Sequence, residues 1–486
     1  MLEDIYKTSL CLHTDLYQLT MSYGYLKSGI AEREAVFHMF FRKSPFNGAY
    51  AVFCGLEQVV EYLQQLTFTD DDLEYLRGLN GADSLPLFDD EFLSYLQNLK
   101  ITLEIDAVEE GTVVFANEPL IRVKGPLLQC QLVETAILNI INFQTLIATK
   151  ASRMAMIASG EPILEFGLRR AQGIDGSISS SRAAYIGGCS ATSNVLAGKI
   201  LGIPVKGTHA HSWIMSFDTE MEAFEKYAEI MPNNCIFLVD TYDTLQGVKN
   251  AITVGKTLEA NGHKMLGIRL DSGDLASLSI KARAMLDEAG FKDAAVVASN
   301  DLDEYSIEKL KKNGARVNVW GVGTKLSTAY DQPALGGVYK LSAIKDENGV
   351  WQDKLKLSEE SVKTSNPGQL QVRRYCSAGK VEVDMIYSVD CPVDNQYASF
   401  VDDKGDVDQI GNSEFVDLLI PVLRNGTSVL KKTTLQDIQK HTQKQLDMFA
   451  DSYRNIETPE KFKVVLEKRL HDKKQTLIKK IQQNVK

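Results

Sequence analysis

KMLGIRLDSGDLASLSIKARAMLDEAGFKDAAVVASND, residues 264–301, decides the fold class. It opens on an apolar run, turns polar at Asp271–Asp274, and then carries apolar residues at helical spacing from Leu275 to Leu286. After Gly290 a second apolar run begins at Ala294. Apolar runs without alternation are strands buried on both faces. Strand, helix and strand at this spacing make a parallel α/β sheet or barrel. The pattern extends both ways. PILEFGLR (162–169), IPVKGTHA (203–210), NCIFLVDTYD (234–243) and RVNVWGVGT (316–324) read as further strands. Residues 190–202, AFEKYAEI (223–230) and LQGVKNAITVGKTLEANG (245–262) read as helices between them.

The strand ends hold the chemistry. In chain order they carry Arg169 and Arg170; His209 and His211; Asp240 and Asp243; Arg269, Asp271 and Asp274; Ser299, Asn300 and Asp301; Gly321, Gly323 and Thr324. In a parallel barrel these ends share one face, where active sites form. Asp243, Asp274 and Asp301 are also what helix N-caps require. Capping does not account for three arginines and paired histidines. Arginine forks bind carboxylates and phosphates. GVGT leaves backbone N–H groups open to phosphate oxygens, and aspartates near phosphates hold Mg²⁺ or ribose hydroxyls. The face therefore suits a phosphorylated sugar.

GTHAHSW (207–213) places two of the chain's 7 histidines two residues apart. On a strand they share a face and fit a metal clamp. His263 sits at the opposite end of its strand, and His38, His441 and His471 lie outside the barrel region, so further imidazole ligands are lacking. General acid–base work, nucleophilic capture of a phosphoryl group, and a loop-stabilising role remain open.

Composition narrows the classes. The 486 residues exceed one ordinary core, and 44% hydrophobic with 24% charged residues is a globular balance. A net charge of −11 argues against nucleic acid as the main partner. Seven scattered cysteines without a CxxC pair indicate reduced thiols and a cytoplasmic setting, not a disulfide or zinc framework. No bilayer-spanning run is expected: Leu127–Ala151, the longest candidate, is broken by Gln131, Glu134, Asn139, Asn142, Gln144 and Lys150 and reads as a buried helix. MLEDIYKTSL at the start lacks the form of a secretory signal. Residues 345–368 read as a polar hairpin or loop, KVEVDMIYSV (380–389) as partly β, and the basic stretch 461–483 as a surface helix.

Several motifs together resemble the nicotinate phosphoribosyltransferases, a type II phosphoribosyltransferase family. They are TDLYQLTM (14–21), EFGLRRAQGIDG (165–176), SATSNVLAG (190–198), GTHAHSW, LVDTYDT (238–244), IRLDSGDL (268–275), ASNDLDE (298–304), GVGTKL (321–326) and LGGVYKL (335–341). The resemblance implies an incomplete α/β (TIM-like) barrel with a second, mixed α+β domain built from N- and C-terminal segments. The expected segments are 1–125, a barrel over 126–345, and 346–486 packing with the N-terminal part. It implies an ATP-coupled, ligase-type enzyme of NAD biosynthesis. Nicotinate and 5-phosphoribosyl 1-pyrophosphate would give nicotinate mononucleotide and pyrophosphate, with Mg²⁺ on the pyrophosphate and no protein-bound metal. The unit would be a homodimer with a shared site.

Position by position, the resemblance assigns His211 as a phosphohistidine and Asp271 as the aspartate near the ribose. Thr208 and Arg269 match nicotinate contacts, and Arg169 the base and phosphate site. Tyr17 matches an aromatic that stacks on the pyridine ring from the partner subunit. Gly321, Gly323 and Thr324 match the 5-phosphate loop. Ser299 and Asn300 lie nearby, Asn300 standing where the related nicotinamide enzyme has an acid. A nicotinamide-type transferase, a TIM-barrel metal hydrolase and a non-catalytic nucleotide-binding protein are the alternatives.

Overall fold

The computed structural model describes residues 9–357, 364–391, 393, 397–401, 405–411 and 413–485. The expectations for the first eight residues and for 358–363 fall outside this set. The chain divides into two compact units, one of residues 147–333 and one of 1–146 with 334–486.

The 147–333 unit is built on six parallel strands. Their order is Ala191–Thr192, Ile163–Glu165, Val319–Val322, Ala295–Ala298, Gly267–Leu270, Ile236–Leu238. The opening stretch supplies two neighbours in register: Gly267 faces Ala295 and Leu270 faces Ala298. Ile268, Leu270, Val296, Ala298, Trp320 and Val322 are fully buried. Each such aliphatic side chain stabilises the fold by about 1.5–3 kcal/mol, which is why the strands read as unbroken apolar runs. Helices Thr244–Ala260, Leu275–Glu288 and Glu304–Lys312 follow successive strands. Asp243, Asp274 and Asp303 cap them by accepting from Gln246, Ser277 and Ser306 backbone N–H groups. The capping role expected of Asp301 thus belongs to Asp303.

One expected strand is absent. IPVKGTHA makes a single parallel bridge, Val205 to Thr192. Pro204 lacks the donor a ladder needs, and its carbonyl accepts instead from Thr192 N–H. The segment still spans the gap between the sheet's two outer strands. Lys206 N–H donates to Thr192, while the Thr208 hydroxyl donates to the Ile236 carbonyl. The barrel is therefore incomplete as a hydrogen-bonded sheet, with an irregular seventh stave.

The other unit interleaves the two ends of the chain, as expected. Its seven-stranded sheet has Glu34–Phe41 between Gly337–Lys345 and Ile121–Pro126, and Leu419–Arg424 against Glu104–Val108. A six-stranded sheet is formed by C-terminal segments alone. The polar stretch after residue 345 does turn as a hairpin, pairing Trp351–Asp353 back on the preceding strand. The basic stretch differs from expectation. Val464–Glu467 is a strand beside Lys380–Ser388 and Tyr397–Val401, and only from Lys468 onward is it helical. Phe462, Val465 and Leu470 are buried there, so apolar spacing that resembled one helix serves a strand and a helix in turn.

Residues 127–158 are helical and, contrary to expectation, long and apolar enough to cross a membrane by length and composition. The most apolar window is 61% buried, the burial of a core helix.

Candidate active site

The ends of three adjacent strands bring four polar side chains together, and a short helix adds a fifth. Arg269, one residue before its strand ends, donates from Nε to Ser299 Oγ at 2.9 Å and from Nη2 to Asp271 Oδ1 at 3.0 Å. The Ser299 hydroxyl also donates to Asp271. Burial pushes the Asp271 carboxyl up, but the bonds from Ser299 and Arg269 outweigh it and hold it below the ordinary range. Asp240 Oδ2 accepts from Asp271 N–H at 2.8 Å and Ser272 Oγ at 2.6 Å. Its Oδ1 is buried with no hydrogen-bond partner among the described residues. His211 completes the group. Its Nδ1 lies 3.1 Å from Thr241 Oγ1, and its Nε2 lies 3.9 Å from Asp240 Oδ1 and 3.8 Å from Asp271 Oδ2. Its side chain is 38% exposed.

The two histidines of GTHAHSW separate here. His211 is the first residue of a short helix, His211–Met215, not part of a strand, so the two do not share a face. His209 is buried against Phe224, Tyr227 and Phe237, with the Tyr227 ring 4.8 Å away. Its Nε2 accepts from Leu238 N–H at 3.4 Å. Burial pulls its pKa down to about 4, so it is a neutral, wall-forming side chain. No metal clamp forms from the pair. Among the described residues no three His, Cys, Asp or Glu side chains gather as a metal site. Asp240 and Asp271 offer two carboxylates. That donor set fits a divalent ion that brings most of its oxygen ligands with it, as Mg²⁺ on a pyrophosphate does.

Arg169 and Arg170 lie in an exposed single turn, Leu168–Arg170, and neither has a polar partner among the described residues. Asn300 is exposed, at φ 96°, with Asp301 at φ 46°. Gly321 is required by packing: a Cβ there would stand 2.8 Å from the Phe166 ring. A Cβ on Gly323 would stand 3.3 Å from the Phe166 carbonyl, tight but less so, and Gly323 precedes the half-buried Thr324. Thr208 is not brought to the cluster. Its hydroxyl is bonded to Ile236, at the start of the strand whose far end leads to Asp240. Tyr17 stands 47% exposed in the other unit, on helix Leu16–Lys27. That unit has its own cavity of about 940 Å³, lined in part by Arg42, Lys43, Lys340, Lys463 and Lys474, and it contains none of the predicted site residues.

Known proteins match this chain end to end. The N-terminal domain of nicotinate phosphoribosyltransferase matches residues 12–142, the family's main model residues 162–374, and the C-terminal domain residues 369–474. Nicotinate phosphoribosyltransferase of Bacillus subtilis is 46% identical over 469 residues, covering 94% of this chain and 93% of the relative. The chain belongs to the nicotinate phosphoribosyltransferase family.

The solved human nicotinic acid phosphoribosyltransferase superposes at a TM-score of 0.85 with 31% identity, covering 96% of this chain and 99% of that one. Nicotinate-nucleotide pyrophosphorylase from Pyrococcus furiosus, at 20% identity and a TM-score of 0.68, shares the fold. This nicotinate phosphoribosyltransferase family member places three residues at the site that the sequence reading did not select. Asp240 was visible as a strand-end acid in LVDTYDT. Thr241 follows it. Phe166 carries a fainter signal: its ring lies 5.7 Å from the Arg269 guanidinium and rests on Gly321, a contact between distant parts of the chain.

Proposed function

We propose that this chain transfers the phosphoribosyl group of 5-phosphoribosyl 1-pyrophosphate to nicotinate, in NAD biosynthesis, with ATP hydrolysis coupled through a phosphohistidine at His211. The observation that carries the ATP coupling is the His211 geometry. Thr241 engages Nδ1, leaving Nε2 of the half-exposed side chain without a hydrogen bond among the described residues. The Nε2 lone pair attacks the γ-phosphorus of ATP, the bond to the β–γ bridging oxygen breaks, and ADP leaves. Water later cleaves the N–P bond. The added charge beside the pyrophosphate site couples the two reactions.

In the transfer itself the C1–pyrophosphate bond breaks as the pyridine nitrogen forms the C1–N bond. Positive charge develops at C1 and the ring oxygen. Asp271, fixed by Arg269 and Ser299, holds ribose hydroxyls and offsets that charge. Mg²⁺ carried on the pyrophosphate would stabilise the leaving group, with the Asp240 carboxylate, whose Oδ1 has no hydrogen-bond partner among the described residues, available to it. Arg169, without a polar partner among the described residues, and the remaining nitrogen of Arg269 take the nicotinate carboxylate and phosphate oxygens. Phe166 presents an aromatic face, and Tyr17 of a second copy of the chain presents the other.

The purified chain with nicotinate, 5-phosphoribosyl 1-pyrophosphate, Mg²⁺ and ATP should yield nicotinate mononucleotide by mass; no product would end the proposal. Labelled ATP should leave acid-labile, base-stable phosphate on the wild type and none on His211→Ala. Label surviving that change would place the phosphoryl group elsewhere. Mixing inactive Tyr17→Ala and Asp271→Asn chains should restore part of the activity, since one mixed site would hold both native residues. No restoration would refute the shared site.

A further inference from the structure

Behind the strand ends, residues 147–333 hold a second set of charges that touches none of the five clustered side chains described above. Lys150, on helix Glu134–Ala158, is fully buried, and its Nζ lies 2.8 Å from Glu304 Oε2, itself fully buried. The same Nζ pairs with Asp331. Arg153, one helical turn on, donates from Nε to Glu304 Oε1 at 2.8 Å and from Nη2 to the Tyr305 hydroxyl at 3.0 Å. Next to Glu304, Asp303 accepts from Lys325 Nζ at 2.6 Å.

The two lysines join two loops. Asp303 and Glu304 end the loop that carries Ser299 and Asn300. Lys325 and Asp331 belong to the loop that carries Gly323 and Thr324. Asn300 and Asp301 sit at φ 96° and 46°, left-handed conformations that persist only when the surroundings over-determine them. A buried ion pair is seldom more stabilising than apolar side chains of the same size. What it supplies here is a fixed distance between loops.

We propose that Lys150 and Lys325 are positioning residues that hold the Asn300 loop and the Thr324 loop at the spacing needed to grip the phosphorylated ribose. This rests on the function proposed above. Loosening either joint misplaces the phosphate-binding backbone and leaves the nicotinate side and the bond-breaking step intact.

The test measures kcat and the KM for each substrate. Lys325→Met and Asp331→Asn, both at partly exposed positions, should raise the KM for 5-phosphoribosyl 1-pyrophosphate about tenfold, as small misplacements do. Their kcat and KM for nicotinate should stay within about twofold, and Lys325→Arg should restore most of the loss. Lys150→Met paired with Asp331→Asn removes that joint while Glu304 stays balanced by Arg153, and should show the same pattern in protein that melts normally. Calorimetric binding of 5-phosphoribosyl 1-pyrophosphate reads the same shift without turnover. An unchanged KM and affinity, or both KM values and kcat moving together, overturns the positioning role. Thr324→Ala separates the two levels. If it leaves affinity unchanged, the phosphate-loop reading itself fails and the positioning role falls with it; if it weakens affinity while Lys325→Met does not, only the positioning role fails.

Discussion

Two buried charged clusters in this chain are built on opposite plans. In the unit formed by the chain ends, Arg374 is 1% exposed and every arm of its guanidinium is engaged. It meets both oxygens of Asp384, the Gln445 side chain at 3.0 Å and the Val113 carbonyl at 2.8 Å. Phe115 and Phe449 lie against it, 5.7 and 5.3 Å from its centre. At the strand ends of the other unit, Asp240 Oδ1 is buried and His211 Nε2 open, neither with a hydrogen-bond partner among the described residues. A satisfied cluster holds a scaffold together. An unsatisfied one calls for an explanation, and at these strand ends the ligand proposed above supplies it.

The contrast breaks first at Arg374. Arg374→Met strands Asp384 in the core and should destabilise the fold by about 3–5 kcal/mol. Turnover per folded molecule should stay near wild type. Denaturant titration with activity at low denaturant checks both. A variant of unchanged stability would mean that the cluster is not the anchor its geometry suggests.

Asp240→Asn should do the reverse. The amide oxygen still accepts from Asp271 N–H and Ser272, so the melting temperature should barely move. The charge facing His211 is lost, and kcat/KM should fall about 10²–10³-fold, the usual loss when one preorganised electrostatic group is removed. A loss of stability equal to the loss of activity would place Asp240 with the scaffold.

Legibility in the sequence followed the range of the interaction. The strand–helix alternation, the caps at Asp243 and Asp274, and the convergence of Arg269, Asp271 and Ser299 were readable, because each depends on residues close in sequence or on sharing a barrel face. The irregular stave was not. IPVKG is as apolar as its neighbours, and only the pairing of Thr192 with Pro204 and Lys206 shows it to be a bridge between outer strands. Gly321 was read as an opening for phosphate. Its stated constraint is the Phe166 ring, contributed from more than a hundred residues away. Motif resemblance supplied His211, and spacing alone could not have chosen it over His209.

A smaller effect concerns pH. Glu118 is buried beside Asp384, and its Oε1 has no partner among the described residues. Burial first, and the neighbouring Asp384 second, hold its carboxyl well above the ordinary value. A raised folded value means that the native state binds this proton more tightly than the unfolded chain. The associated stability is full below the ordinary carboxylate pKa and is lost as pH rises through the raised one. Glu118→Gln keeps the shape and removes the titration. Its melting temperature should fall less steeply than wild type from pH 5 towards pH 9, read by scanning calorimetry. Parallel curves would show that Glu118 does not titrate in that range.

The smallest effect is the most diagnostic, because it lies two residues from the proposed nucleophile. His209 has one long hydrogen bond from Leu238 and an Nδ1 with no partner among the described residues. His209→Phe forfeits the first and relieves the second, in a pocket already lined by aromatic rings. These changes oppose each other, so stability should move by less than about 1 kcal/mol. Labelling by ATP should persist, and the pH profile of turnover should be unchanged between pH 5 and 8, since a group with a pKa near 4 is already neutral there. Lost labelling in a variant that melts normally would move His209 out of the wall and into the chemistry, and would undo the separation between wall and open site within GTHAHSW itself.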